Sequence, residues 1–466
     1  MFGARFFLVG IIGFMGALTA NAAPDVLVDL NALPGVSAQE TTVAGDTALG
    51  LRRFILQVEQ PVDHFDSAAG TFKQKLVLFH RDYSEPMVLQ TSGYSIFSEK
   101  LSRVANAFAT NQIQVEHRFF STSAPEPKDW SKLTVRQSAE DFHHIVQIFK
   151  TLYQQRWVNT GASKGGMTSI FHRRYFPHDL DGTVADVAPL SFTTEDPRYI
   201  GFLEQVGGVE FMDCRAKLDA FQSTVLKRRL ELLPSITGSF TSLGSNEVAL
   251  EHSVIEAPFA FWQYGNPEDA NFGCAKVPGP QAKASEIMAF LTQVNDPNGL
   301  NDEGIAGFQP YYYQAALELG APGSNLTNLQ GLLQFPYELT QYLPGHAPVT
   351  YTDVTMRDMK NWAAQEAVGM MFVYGEFDPW SAGAYTEINS AAQADNHWYQ
   401  VPRFNHGSNF TKLPDPLKAD AIAVLTRWLG KSPAPVPLQH LSLQINGAAE
   451  SLEDTEMRAI RRRHSH

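Results

Sequence analysis

The sequence predicts an α/β fold in which a mainly helical lid is inserted between two halves of a core. From residue 52 to about 190, and again from about 365 to 430, strand patterns alternate with amphipathic helical patterns. That alternation is typical of a mainly parallel sheet covered by helices. Residues 195–350 differ, because they carry long amphipathic patterns such as VEFMDCRAKLDAFQSTVLKRRLELL and little strand pattern. We call residues 195–350 the lid segment.

This interpretation divides the 466 residues into five parts. They are a signal peptide at 1–22, the first part of the core at 23–194, the lid segment, the second part of the core at 351–435 and a C-terminal tail at 436–466. A hydrophobic content of 44% is sufficient for a large buried core in a chain of this length.

The first 22 residues have the composition of a cleaved signal peptide. They contain Arg5, no acidic residue, the apolar run FFLVGIIGFMGAL and the ending Ala20-Asn21-Ala22, which is an A-x-A cleavage pattern. A membrane anchor is the alternative, but the apolar run is shorter than the roughly 20 residues that a span needs. We therefore expect a secreted or periplasmic protein that has no stable membrane insertion after cleavage.

Charge and spacing argue against other classes of protein. The formal net charge of −13 makes the chain a poor candidate for binding nucleic acid. The basic cluster RAIRRRHSH at 458–466 is an exception, and we expect it to be a solvated tail. No Cys-x-x-Cys or His-Glu-x-x-His spacing occurs, so we expect no metal and no cofactor.

The two cysteines, Cys214 and Cys274, both lie in the lid segment. In an oxidising compartment such a pair forms a disulfide more often than two free thiols. We expect one bond that braces the lid segment rather than the core.

A candidate nucleophile lies in residues 157–167, WVNTGASKGGM. A β-branched and aromatic run leads into Gly161-Ala162-Ser163-Lys164-Gly165, and a helix-compatible stretch follows. A strand, a sharp turn and a helix are what lift a serine hydroxyl clear of a sheet, towards a base and a carbonyl carbon. An ordinary strand-to-helix turn is the alternative, so the partners of Ser163 decide between the two.

Those partners are found in the order Ser, Asp, His that α/β-hydrolases use. Asp378 follows the predicted strand at 369–374, and His406 follows the predicted strand at 397–402. Taken singly, Asp378 is explained as a turn residue before a proline and His406 as a surface histidine. Together with Ser163 they predict a catalytic triad in an α/β-hydrolase fold.

The triad needs hydrogen-bond donors for the oxyanion that forms on the attacked carbonyl. One candidate is the backbone N–H of Lys164, directly after the nucleophile. The second is the backbone N–H of Tyr94, because PMVLQTSGY at 86–94 predicts a strand followed by a glycine turn.

Four motifs resemble those of one family. They are QPVDHF at 60–65, EHRFFSTSAP at 116–125, GASKGG at 161–166 and YGEFDPWSAG at 374–383. They resemble the PS-10 or S37 family of secreted serine peptidases, which includes bacterial tripeptidyl aminopeptidases. That family is similar to the prolylcarboxypeptidase and dipeptidyl peptidase II group. The resemblance implies an exopeptidase that releases tripeptides or dipeptides from free N-termini of peptide substrates, with a preference near proline.

An exopeptidase of this kind must bind the α-ammonium group of its substrate, which requires a carboxylate within reach. Glu204, near the start of the lid segment, and Glu116, in VEHRFF, are the candidates. The alternative for Glu116 is a structural brace with Arg118 or His117.

Two aromatic groups in the lid segment are candidates for the wall of a small apolar pocket. They are PFAFWQY at 258–264 and PYYYQ at 310–314, and from them we select Trp262 and Tyr312. The alternative for most of these rings is burial in the core of the lid segment.

Two other functions remain open at this point. A secreted lipase or esterase would use the same triad, with an apolar pocket and no carboxylate anchor. An inactive hydrolase fold used for binding is the second, although all three triad positions are filled. The sequence leaves the oligomeric state open.

Overall fold

The computed structural model of this protein describes residues 25–346 and 348–435. The predicted signal peptide and the predicted C-terminal tail lie outside the described residues. Within these residues one mixed sheet forms the centre of the molecule, and helices cover both of its faces.

The sheet has nine strands in the described chain. In chain order they are β1 to β9, which span Val36–Thr41, Arg52–Pro61, Thr71–His80, Met87–Thr91, Asn111–Val115, Trp157–Ala162, Gly182–Asp186, Met370–Gly375 and His397–Val401. Their spatial order is β1-β2-β3-β5-β4-β6-β7-β8-β9. The pairs β1–β2, β2–β3 and β3–β5 are antiparallel, and all pairs from β5 to β9 are parallel.

The described residues form twelve α-helices. In chain order they are α1 to α12, which span Val26–Asn31, Arg103–Phe108, Val135–Phe149, Lys164–Tyr175, Arg198–Gln205, Met212–Lys227, Arg229–Leu232, Asn246–Tyr264, Ala284–Asn295, Asp302–Gln314, Val354–Gln365 and Asp415–Leu429.

The parallel strands carry apolar side chains on both faces, as strands covered by helices on each side require. On β8, Met371 and Val373 pack in the cluster that contains α2 and α12. The alternate residues Met370 and Phe372 pack with α4 and α11 on the opposite face. The strands predicted at 369–374 and 397–402 are β8 and β9, and the α/β-hydrolase fold class is confirmed.

The lid segment has a hydrophobic core of its own, formed chiefly by α6, α8 and α9. A disulfide joins Cys214 on α6 to Cys274, 60 residues later. Within the lid segment a parallel bridge pairs Asp196 with Pro322, and the segment contacts the core where Leu319 packs beside α4 and α11. Among the described helices, none combines the length and apolar character that crossing a membrane requires.

Candidate active site

Ser163 occupies a strained turn between β6 and α4. Its φ of 54° and ψ of −129° lie in a region that non-glycine residues rarely adopt. The Ser163 N–H donates to the carbonyl of Asp186 at the end of β7 (2.9 Å), and its carbonyl accepts from the Met167 N–H (2.9 Å). The turn is therefore held against the neighbouring strand, as in a nucleophile elbow.

The glycines on either side of Ser163 provide room for close packing. A Cβ on Gly165 would lie 2.4 Å from the carbonyl oxygen of Thr91, and a Cβ on Gly161 would lie 2.5 Å from Thr91 Oγ1. The Thr91 hydroxyl donates to the Gly165 carbonyl (2.6 Å). Neither glycine has a positive φ in this structure, so glycine is needed here because β4 lies against the turn.

Asp378 and His406 meet beyond the carboxyl ends of β8 and β9. His406 Nδ1 lies 2.7 Å from Asp378 Oδ2, and both side chains are buried. The other carboxylate oxygen, Oδ1, accepts from the Trp380 N–H (3.1 Å), which orients the carboxylate. A Cβ on Gly375 would lie 2.5 Å from the carbonyl oxygen of Asn405. Glycine at the end of β8 therefore lets the loop of His406 approach Asp378.

The other ring nitrogen of His406 is available for proton transfer. A carboxylate only accepts hydrogen bonds, so Nδ1 carries the proton and Nε2 presents a lone pair. Nε2 is buried and has no hydrogen-bond partner among the described residues, the Ser163 hydroxyl included. Such bonds often form fully only when substrate binds. The lid segment contacts the loop that carries His406, because the His406 N–H donates to the carbonyl of Gln263 on α8 (3.0 Å).

The predicted oxyanion loop, which follows β4 and contains Gly93 and Tyr94, lies directly against the start of α4. Gly93 has a φ of 73°, and a Cβ there would lie 2.5 Å from the Gly165 nitrogen. Among the described residues, neither the Lys164 N–H nor the Tyr94 N–H donates to an acceptor. The Tyr94 carbonyl accepts from the His117 N–H (2.9 Å), which orients the peptide of Tyr94.

The Lys164 side chain ties α4 to the same loop. Its Nζ donates to the Gly93 carbonyl (2.6 Å) and lies 5.4 Å from the ring centroids of Tyr94 and Phe120. Burial lowers the pKa of Lys164 well below its ordinary value, and the negative charge of Glu318 opposes that shift. A buried amine held by a carbonyl and two rings fixes the distance between the two candidate oxyanion donors.

A cavity opens beside Ser163. Three of its ten lining residues are aromatic, and the sequence patterns did not single out two of these, Tyr311 and Trp380, for this place. The sequence does contain a signal for both residues, because Trp380 lies two residues after Asp378 and Tyr311 is adjacent to Tyr312. The lining residues are Tyr94, Ser163, Lys164, Met167, Pro189, Ser191, Tyr311, Leu319, Gly320 and Trp380.

The two aromatic residues chosen from the sequence do not line this cavity. Trp262 is 1% exposed and packs edge-on against Phe211 and Phe377 in the core of the lid segment. Tyr312 stacks on Tyr342 with ring centroids 4.6 Å apart. Neither ring lines the cavity beside Ser163, because the face that a helical residue presents depends on how the helix packs.

The two glutamates chosen as ammonium anchors also lie in other environments. Glu116 is buried and accepts from the Ile96 N–H (3.2 Å) and the Ser123 hydroxyl (2.7 Å). It therefore braces the loop that carries Tyr94, although not through Arg118 or His117. Glu204 is exposed on α5 and accepts from Asn325 Nδ2 (3.1 Å). Neither residue lines the cavity beside Ser163.

The motifs QPVDHF and EHRFF meet in a buried polar network. Arg118 donates to both carboxylate oxygens of Asp141 (2.7 Å each), and His64 Nε2 lies 2.8 Å from Asp141 Oδ1. Burial alone would raise the pKa of Asp141, but Arg118 and His64 lower it overall. The network fixes the loop after β5, in which Glu116 and His117 hold the oxyanion loop.

This chain is similar in sequence to known peptidases. The family model described as PS-10 peptidase S37 matches residues 20–453. The prolyl tri/tetrapeptidyl aminopeptidase of Streptomyces mobaraensis is 35% identical over 446 residues, which cover 92% of this chain and 91% of that protein. The lysosomal Pro-X carboxypeptidase of Mus musculus is 28% identical over 207 residues, 39% of this chain and 40% of that protein.

Among solved structures, VinJ is 12% identical to this chain, with a TM-score of 0.38. The match covers 84% of this chain and 99% of VinJ. The family match extends over nearly the whole sequence. This chain therefore belongs to the PS-10 peptidase S37 family and is a serine peptidase.

Proposed function

We propose that this chain is a secreted exopeptidase that releases short peptides, tripeptides foremost, from the free N-termini of peptide substrates. Ser163 is the nucleophile, His406 the general base and Asp378 the residue that orients the base. The observation that carries this proposal is the buried imidazole of His406. Its Nδ1 is bound to Asp378, and its Nε2 has no partner in the described chain.

The chemistry follows from these positions. His406 Nε2 takes the hydroxyl proton as Ser163 Oγ attacks the carbonyl carbon of the bond to be cut. The resulting imidazolium, stabilised by Asp378, donates that proton to the leaving amine as the C–N bond breaks. A water molecule then attacks the acyl ester with His406 again as base, and the short N-terminal peptide leaves with a new carboxylate.

The oxyanion of each tetrahedral intermediate is stabilised by the amides of Lys164 and Tyr94. The Lys164 amide is at the N-terminus of α4, where the helix dipole also favours negative charge. One such donor is typically worth about 3 to 4 kcal/mol in the transition state. The approach of Gly93 to within contact of Gly165 supports this pairing of donors.

A preference for proline before the cut is supported by the aromatic wall of the cavity. Tyr94, Tyr311 and Trp380 offer ring surfaces on which a pyrrolidine ring packs well. The relative from Streptomyces mobaraensis is named a prolyl tri/tetrapeptidyl aminopeptidase. Secretion is supported by the sequence of residues 1–22 and by a disulfide, which persists in oxidising compartments.

The test compares the mature protein with its Ser163→Ala variant on free and N-acetylated dipeptidyl and tripeptidyl amides, with and without proline before the cut, and on a short-chain ester. Ser84→Ala is the control, because Ser84 is an exposed serine whose hydroxyl donates to Asp82 (2.7 Å). A fluorophosphonate probe followed by peptide mapping identifies the labelled serine directly.

We expect cleavage of free tripeptidyl amides, loss of that activity in Ser163→Ala only, and a label on Ser163. Cleavage of the ester alone would favour an esterase. Absence of labelling would favour a binding protein, and peptidase activity that survives in Ser163→Ala would overturn the proposed nucleophile.

A further inference from the structure

Glu256, on α8 of the lid segment, is a partly buried carboxylate. Its Oε1 accepts from the Tyr337 hydroxyl (2.8 Å), and its Oε2 accepts from Asn295 Nδ2 (3.3 Å). A carboxylate has about four acceptor positions, so further donors can still bind.

No lysine, arginine or histidine nitrogen of residues 25–345 and 348–435 lies within 4.0 Å of the Glu256 carboxylate. The neighbouring carboxylate Glu251, one turn earlier, is in contrast paired with Arg229 (3.0 Å). His252 is buried, and that burial lowers its pKa. A partly buried carboxylate that lacks a cation is costly, so Glu256 is suited to a cationic ligand.

Glu256 faces the candidate active site. Phe259, one turn along α8, packs against Trp380 with ring centroids 5.2 Å apart, and the Gln263 carbonyl holds the His406 N–H. Positions i, i+3 and i+7 share one helix face. Glu256 and Phe259 therefore share the face of α8 that packs against Trp380, and the main-chain carbonyl of Gln263 holds the His406 loop at the end of the same helix.

Aromatic rings connect Glu256 with the cavity beside Ser163. Tyr311 lines that cavity, and burial together with the negative charge of Glu256 raises the pKa of Tyr311. Burial and Glu256 likewise raise the pKa of Tyr337. Both rings are only partly buried, so they border accessible space. A carboxylate among tyrosine rings attracts an ammonium group through both its charge and the ring faces.

We propose that Glu256 binds the α-ammonium group of the peptide substrate and thereby restricts cleavage to free N-termini. This inference rests on the proposed function. In this proposal the ammonium-binding carboxylate is Glu256 instead of Glu116 or Glu204, and only the packing of α8 indicates this role.

We infer that the placement of Glu256 also favours release of a tripeptide. Gln263, whose carbonyl holds the loop of His406, lies seven positions after Glu256, which corresponds to about 10 Å along the helix axis. An extended tripeptide spans about the same length, at about 3.3–3.6 Å per residue.

The experiment compares wild type, Glu256→Gln, Glu256→Asp and the control Glu204→Gln. Each is assayed on a proline-containing tripeptidyl amide with a free N-terminus, on its N-acetylated form and on the matching dipeptidyl amide. The rate of fluorophosphonate labelling and the Tm show whether each variant is folded with an intact triad. Gln keeps the shape of Glu256, and its single carbonyl oxygen can accept from Asn295 Nδ2 while its NH2 group donates to the Tyr337 hydroxyl. The main difference between the two side chains is therefore the charge.

For Glu256→Gln we expect kcat/KM on the free tripeptidyl amide to fall about tenfold to a hundredfold. Labelling and activity on the acetylated form should stay within about threefold. Glu256→Asp should retain most of the preference for free N-termini, and Glu204→Gln all of it.

The proposal is overturned if Glu256→Gln keeps the wild-type ratio of free to acetylated activity, or if the Asp and Gln variants lose it equally. A Glu256→Gln protein that neither labels nor folds leaves Glu256→Asp as the deciding variant. If wild type itself shows no preference for free N-termini, the proposed exopeptidase function fails instead.

Discussion

At the scale of single residues, the candidate active site depends on close approaches between backbone segments. Ser163 has a positive φ, and Gly93, Gly161 and Gly165 lie where a Cβ would be within about 2.5 Å of a neighbouring segment. These contacts bring the Tyr94 and Lys164 amides to the same edge of the sheet as the Ser163 hydroxyl. A single methyl group is therefore enough to disturb the oxyanion donors.

Gly93→Ala is expected to lower kcat about a hundredfold to a thousandfold, with a smaller change in KM, because displacement of the Tyr94 N–H removes an oxyanion donor. Gly70→Ala is the control, since Gly70 has a comparable φ of 81° but nothing within 4 Å of its Cβ position. Steady-state kinetics of both variants check this expectation. Equal losses in the two variants would mean that backbone strain, and not the oxyanion loop, is responsible.

Asp378→Asn is expected to lower kcat by about 10⁴-fold. An asparagine can still accept from the Trp380 N–H, but its amide favours the wrong tautomer of His406. Rates of peptide cleavage, together with circular dichroism to verify folding, provide the measurement. A loss of less than tenfold in a folded variant would exclude Asp378 as the residue that orients the base.

At the scale of elements, the Arg118–Asp141 pair joins α3 to the loop after β5. Both side chains are at most 1% exposed, and two hydrogen bonds of 2.7 Å connect them. Removing one partner of such a pair leaves an uncompensated buried charge. Glu116 and His117, in the loop after β5, hydrogen-bond to the oxyanion loop. Loss of the Arg118–Asp141 pair would therefore also affect the candidate active site.

Asp141→Asn is expected to lower the free energy of unfolding by about 3 to 5 kcal/mol, because Arg118 would remain buried without its counter-charge. Asp358→Asn is a matched control. Arg174 binds Asp358 with two hydrogen bonds of 3.0 Å each, but that pair is only partly buried and is worth about 1 kcal/mol. Urea denaturation measures the free energy of unfolding of both variants. Equal losses of this free energy would contradict the expectation that burial makes the Arg118–Asp141 pair the more important one.

The same pair predicts how stability depends on pH. The pKa of Asp141 is lowered below its ordinary value of 3.8 in the folded protein. The unfolded chain therefore binds more protons below about pH 4, and the contribution of Asp141 is lost as pH falls through its folded pKa. The urea midpoint should decrease from pH 5 to pH 3, and more steeply in wild type than in Asp141→Asn. Parallel curves would contradict this assignment.

At the scale of the whole molecule, the lid segment and the loop of His406, the proposed base, are connected. The His406 N–H donates to Gln263, Asn405 Nδ2 donates to the Gly265 carbonyl (3.0 Å), and Arg403 pairs with Glu210 and Glu268 on the lid segment (2.9 Å each). Loosening of the lid segment should therefore disturb the base before the sheet unfolds.

Replacement of both cysteines by serine is expected to reduce stability by about 2 to 4 kcal/mol, since the bond between Cys214 and Cys274 closes a loop of 60 residues. Fluorophosphonate labelling should then be lost at a lower urea concentration than the far-ultraviolet dichroism of the sheet. Wild type should lose both signals closer together. Labelling that persists until the sheet unfolds would show that the base does not depend on the lid segment.

The sequence by itself determined the alternating core, the helical character of the lid segment and the loops that hold Ser163, Asp378 and His406. Those features depend on periodicity and turn residues, which are local properties of the chain. Tertiary structure alone decided that Trp262 is buried and Glu116 is a brace. It also decided that Glu256 faces the catalytic loops without a cation in the described chain. The reason is that side-chain environment depends on which distant segments meet.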